Sequence, residues 1–181
     1  LINITLLKGL DDACEVLFET VQAQEKIIVI GDFDADGATS TALMMEALTL
    51  LGNYDHEFLV PNRFDYGYGL SPEIAQEAIN NGAKLIITVD NGISCHRGVD
   101  YAKSQGCRVI VTDHHMPGAV LPNADAIINP NQHHCTFPSK NLAGVGVAFY
   151  FMMAFRQYLR QKNWFFEQGF AEPNLAQLLD L

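Results

Sequence analysis

The chain has 181 residues, with 11 Lys and Arg against 21 Asp and Glu, a formal net charge of −10, and 49% hydrophobic residues. At ~150 residues per domain this is one domain with room for part of a second. The 11 Phe, 6 Tyr and 1 Trp supply a packed core and exclude wholesale disorder. The acidic balance excludes a basic coat for duplex DNA, although not a nucleic-acid enzyme that handles phosphates through bound cations.

No apolar run reaches the ~20 residues of a membrane span, and no secretory signal pattern opens the chain. The first residue is Leu1 rather than Met, so a fragment of a longer chain is expected. Cys14, Cys95, Cys107 and Cys135 are scattered without a CxxC pair. That spacing points to ordinary thiols in a reducing, cytoplasmic compartment rather than to disulfides or a zinc knuckle.

In chain order, residues 10–24 have helical spacing, with Leu10, Ala13, Val16, Leu17 and Val21 on one side. Residues 26–31 (KIIVIG) are too short and β-rich for a helix and read as a buried strand. A helix over 38–51 ends at Gly52, a C-cap glycine. Residues 57–61 form a weaker strand. Ser71 and Pro72 open a helix as N-cap and first residue, running to about 81. Strand 84–89 (KLIITV), helix 94–105 and strand 108–112 (RVIVT) come next. Residues 124–128 suggest a fourth core strand, and 141–162 a long apolar helix whose first turns Gly144 and Gly146 leave uncertain. Apolar strands alternating with helices predict a doubly wound α/β fold around a parallel sheet. The long irregular stretch 116–139 is of a kind that usually carries function.

The polar residues fall at one kind of place. KIIVIG runs into Asp32, Phe33, Asp34, Ala35, Asp36 and Gly37; KLIITV into Asp90, Asn91 and Gly92; RVIVT into Asp113, His114 and His115. All three clusters lie at the carboxyl ends of parallel strands, where open α/β sheets place ligands. Should the strands be neighbours, five carboxylates and two imidazoles share one crevice, where mutual repulsion calls for divalent cations. Carboxylates with imidazole and no thiolate suit Mn²⁺ or Mg²⁺ better than structural Zn²⁺, and there are ligands enough for two ions, an arrangement used in phosphoester hydrolysis.

Three other readings of DFDADG are weaker. An EF-hand loop beginning at Asp32 would put Leu43 where a bidentate Glu is needed, after a strand instead of a helix. A haloacid-dehalogenase phosphatase wants D-x-D-x-T/V, and a phospho-accepting receiver domain has no use for Asp-His-His. Among single residues, Asp113 reads as a partner that orients a neighbouring His. Asn91-Gly92 reads as a tight turn, while His133, His134, Cys135, His56 and His96 read as ordinary surface, loop or core residues.

The combination DFDADG, TVDNG and TDHH, in this order on successive strands, resembles the DHH phosphoesterase superfamily. Within it, Asp32 (His in broader members) points to a branch of single-strand-specific DNA exonucleases. So do Val60-Pro61-Asn62-Arg63, Gly67-Tyr68-Gly69-Leu70, Asn129-Pro130 and the run from Leu142 to Ala148. The resemblance covers almost the whole chain. It implies Asp34, Asp36, Asp90 and His114 as metal ligands, joined or supported by Asp32, with His115 and Asp113 serving catalysis and Arg63 a phosphate contact. It further implies Mn²⁺ or Mg²⁺, two ions in the intact protein, and hydrolysis of single-stranded DNA from its 5′ end in repair and recombination. The expected mechanism is in-line attack by a cation-activated water, with His115 stabilising charge on the phosphate oxygens. A small-nucleotide phosphatase of the same superfamily is the alternative. The family's fourth motif should supply another metal-binding Asp shortly after a Leu-Asp-Leu stretch like Leu179-Asp180-Leu181, so the chain is expected to lack it and a second, substrate-clamping domain, and to be a poor nuclease alone.

Overall fold

A computed structural model describes residues 2–62 and 67–180. The elements, in order, are α1 (Leu10–Gln22), β1 (Ile27–Ile30), α2 (Ala35–Leu50), β2 (His56–Leu59), α3 (Pro72–Asn80), β3 (Leu85–Val89), α4 (His96–Ser104), β4 (Arg108–Thr112), β5 (Ala126–Ile128), α5 (Gly144–Gln161) and α6 (Trp164–Gln168). Short 3-10 turns cover Ile4–Leu6 and Leu175–Asp180. Among the described residues the strands form one five-stranded sheet in the order β2-β1-β3-β4-β5. Every neighbouring pair is parallel.

Side chains of a strand alternate between faces, and here both faces are dry. Ile27 and Val29 of β1, with Leu85, Ile87 and Val89 of β3, pack among α1, α2, α5 and α6. Ile28 and Ile30, with Ile86, Val109 and Val111, pack on the other side against Ile74, Ala75 and Ala78 of α3 and Val99 and Ala102 of α4. This double coverage is why these strands read as unbroken apolar runs. The weaker 57–61 stretch is the edge strand β2, where Phe58 is half exposed. β5 closes the other edge over Ala126–Ile128, shorter than the 124–128 expected. Among the described residues no helix is long and apolar enough to cross a membrane.

Helix boundaries obey local chemistry. Ser71 accepts the Ile74 N–H at 3.2 Å and Pro72 occupies the first turn of α3, as the sequence indicates. α2 starts three residues before the expected position because Asp34 caps it: its Oδ1 accepts the Gly37 N–H at 2.8 Å. α5 starts three residues later than expected, after Ala143, which offers no capping side chain. The pattern gave no indication of α6, whose N-cap Asn163 has φ +58°.

Gly98 in α4 touches the backbone before α3: a Cβ there would lie 1.9 Å from the Leu70 carbonyl oxygen. Helix propensity favours alanine over glycine by ~1 kcal/mol, but overpacking against an immovable backbone costs ~1–3 kcal/mol or more. Gly98→Ala is therefore expected to lower unfolding free energy by at least about 1 kcal/mol in urea titration. A stabilised variant would show that the two segments are not in contact.

Candidate metal centre

In the sheet, β1, β3 and β4 are consecutive, so the three acidic clusters meet at one edge. The chain leaves β1 for α2 on one face and β3 for α4 on the other. The crevice between such strands is the topological switch point of a doubly wound sheet.

Asp90 is buried, with 2% of its surface exposed. Its backbone is left-handed, φ +60°, a conformation Asp tolerates better than most residues but which still needs support. Support comes from three directions. Tyr68 donates its hydroxyl to the Asp90 carbonyl oxygen at 3.0 Å. Buried Asn91 donates Nδ2 to Val89 O at 2.9 Å and to Ile30 O at 3.0 Å, tying β3 to β1. Gly144, opening α5, lies so close that a Cβ there would sit 2.2 Å from Asp90 Oδ1.

That carboxylate oxygen is fully buried and, among the described residues, has no hydrogen-bond donor. His114 Nε2 is only 3.0 Å away, but off the hydrogen-bonding direction. Burial pushes the Asp90 pKa up to about 6, with His114 and His115 opposing the rise and Asp113 and Asp34 adding to it. A buried anionic oxygen without a donor, facing imidazole, suits a cation. Ligand atoms of Asp90, His114 and His115 all lie within 4.8 Å of one another, the one such grouping of His, Cys, Asp or Glu found among the described residues.

Asp113 differs in kind. Its Oδ1 accepts from His114 N at 2.8 Å, His115 N at 3.2 Å and His115 Nδ1 at 2.6 Å, and its Oδ2 accepts from Ile93 N at 3.0 Å. Those bonds use its acceptor capacity. Burial alone would raise its pKa, but the hydrogen bonds, that of the His115 ring foremost, hold it below the ordinary value. The sequence reading of Asp113 as an orienting partner describes this geometry. His115 is raised, chiefly by the same hydrogen bond and against partial burial, with the charges of Asp113, Asp90 and Asp34 adding. A carboxylate fixing Nδ1 also fixes which face of the ring meets a ligand.

The first cluster stands at the neighbouring strand end. Asp32 is buried and accepts the Phe33 N–H at 2.8 Å, and a Cβ on Gly37 would lie 2.6 Å from Asp32 Cβ, so glycine lets α2 start against it. Asp34 and Asp36 are exposed in and before the first turn of α2. None of the three belongs to the tight grouping around Asp90, whereas His115, assigned from the sequence to the phosphate, does. Its ring centroid is 4.6 Å from that of His114. Arg63 and Leu181 lie outside the described residues.

His56 is held elsewhere by Asn53 and Thr49, His133 and His134 are exposed, and all four cysteines are free. The sequence reading quoted Tyr68 and Asn129 for the resemblance without giving either a role, and it missed Asn131. Asn129 donates Nδ2 to His115 O at 2.9 Å, and Asn131 to His114 O at 2.6 Å. The polar density of 116–139 was the only signal for Asn131.

A family model described as "DHH family, N-terminal domain" matches residues 26–179. The chain belongs to the DHH family. Among curated DHH relatives it is 59% identical, over its whole length, to the single-stranded-DNA-specific exonuclease RecJ of Dickeya dadantii, and 59% identical over 97% of its length to that of Escherichia coli. It spans only 31% and 30% of those proteins. A crystal structure of exonuclease RecJ bound to manganese is similar with TM-score 0.75 and 34% identity, over 92% of this chain and 40% of that one. DHH membership, with strand β1 leading into Asp32, removes the EF-hand, dehalogenase and receiver readings.

Because the Asp113 hydrogen bond is the main cause of the raised His115 pKa, Asp113→Asn should move the His115 titration midpoint down in metal-free protein. Histidine ring NMR measures this directly. An unchanged midpoint would mean that Asp113 does not govern the ring.

Proposed function

We propose that this chain is the catalytic part of a single-strand-specific DNA exonuclease, a metal-dependent phosphodiester hydrolase that removes nucleotides from the 5′ end in DNA repair and recombination. The observation that carries the reading is the buried Asp90 oxygen, without a donor among the described residues, converging with His114 and His115 at the switch point. The high identity to RecJ proteins and the likeness to a manganese-bound RecJ structure support it.

Asp90 and His114 would hold an ion here, while Asp32, Asp34 and Asp36 line the adjoining strand end and would supply further oxygens, for two ions in all. Mn²⁺ or Mg²⁺ so held supplies Lewis acidity toward a phosphate oxygen and lowers the pKa of coordinated water. His115, its pKa raised by Asp113, keeps a proton to higher pH and presents positive charge to the phosphate oxygens. Tyr68 and Asn91 hold the strained Asp90 turn in place.

The preference for single strands has support in the rim. Phe33, Tyr68 and Met116 are exposed at the same strand ends, at 42%, 46% and 75%, and Tyr68 stands edge-on to His115 with ring centroids 6.2 Å apart. Unpaired bases can stack on such surfaces, whereas bases in a duplex cannot reach them. Four free thiols suit the reducing cytoplasm, where we place the protein. The charge of −10 favours a second reading, a DHH phosphatase acting on short nucleotides.

The test is hydrolysis of 5′- and 3′-labelled single-stranded oligonucleotides, duplexes and dinucleotides by the intact protein with Mn²⁺. Mononucleotides should come from the 5′ end of single strands. Asp90→Ala should cost more than the ~10–100-fold typical of outer-shell changes at metal sites. Dinucleotide hydrolysis without action on longer strands would favour the phosphatase, and full activity in Asp90→Ala would remove the metal centre from the mechanism.

A further inference from the structure

The stretch after His115 is irregular as far as β5, and the segment beyond β5 folds back on the histidines. Asn129, fully buried, donates Nδ2 to His115 O and accepts the Asn131 N–H at 2.8 Å. Asn131 then spends Nδ2 on two carbonyls from different segments, His114 O at 2.6 Å and Lys140 O at 3.1 Å. Lys140 itself donates Nζ to Pro130 O at 2.6 Å and Cys135 O at 2.9 Å.

Lys140 leads into Gly144, the residue that abuts Asp90 Oδ1. One carboxamide thus grips the backbone of His114 and the lead-in to the helix that stops Asp90. Between these two side chains lies the 3.0 Å approach of His114 Nε2 to Asp90 Oδ1. A cation site binds well only if its donors are held at the right separation, and the groups that hold them govern affinity almost as the donors do.

We infer that Asn131 is a positioning residue of the cation site, setting the separation of His114 and Asp90 by tying the His114 backbone to the segment that carries α5. The inference rests on the proposed metal-dependent function of this site. It depends on donation: both acceptors are carbonyl oxygens, and only an amide of this reach gives each a hydrogen. Asp has the same shape without donors and sets a negative charge against both carbonyls, while Ala removes the donors and adds no charge. Lys140→Ala is the control. It removes the Nζ contacts and loosens the same loop, yet leaves the Lys140 carbonyl in place.

Mn²⁺ dissociation constants of the intact protein and its variants, measured by electron paramagnetic resonance of free Mn²⁺, decide the matter, with circular dichroism confirming the fold. The expected result is about 10–100-fold weaker binding in Asn131→Ala and Asn131→Asp, with Lys140→Ala close to wild type. Should Asn131→Asp fail to fold, Asn131→Ala carries the comparison. Wild-type affinity in the Asn131 variants, or an equal loss in Lys140→Ala, overturns the inference and leaves the metal reading standing. No Mn²⁺ binding by the wild type overturns both.

Discussion

Burying a charged oxygen without a donor costs several kcal/mol unless a compensating charge is supplied, and among the described residues Asp90 Oδ1 has no hydrogen-bond donor, with the His114 imidazole 3.0 Å away. The surrounding structure maintains this arrangement. Asn91 straps the turn to two strands, Tyr68 pins the Asp90 carbonyl, and Gly144 closes the side where any larger residue would push the carboxylate away. In the metal-free protein part of the cost shows as a pKa of about 6, a carboxylate holding its proton more tightly than usual. A cation removes that cost.

Topology decides that several such groups meet. With strand order β2-β1-β3-β4-β5, the ends of β1, β3 and β4 are neighbours, and the helices after β1 and β3 diverge to opposite faces. Division of labour then comes from hydrogen bonding. Asp90 and Asp113 are about equally buried, yet four donors keep Asp113 below its ordinary pKa while Asp90, lacking them, rises. The first is committed to His115 and the second is available.

Much of this was legible in the sequence. Strands buried on both faces leave unbroken apolar runs, so IIVI, LIITV and RVIVT could be placed within a residue or two, and the carboxylates interrupting them marked the edge of the candidate site. Asp113 could be read as a partner of histidine because it directly precedes two of them. Less legible were residues whose role depends on distant neighbours. Asp34 serves as a helix cap as well as a candidate ligand, which moved the start of α2 to Ala35. Asn131 and Gly144 act across contacts that no local periodicity records. Adjacent histidines were expected to divide between ion and phosphate; the turn after β4 brings ring nitrogens of both within 4.8 Å of the Asp90 carboxylate, a closeness the sequence did not show.

Everything above turns on the Asp90 carboxylate and His114 holding a cation, with His115 beside them. Crystals of the intact protein soaked in Mn²⁺, with diffraction recorded at the manganese absorption edge, put that to the test. An anomalous peak in coordination contact with Asp90 and His114 is the expected result. Bound Mn²⁺ only at other groups, or Mn²⁺-soaked crystals in which Asp90 keeps a donorless carboxylate and no peak, would contradict it.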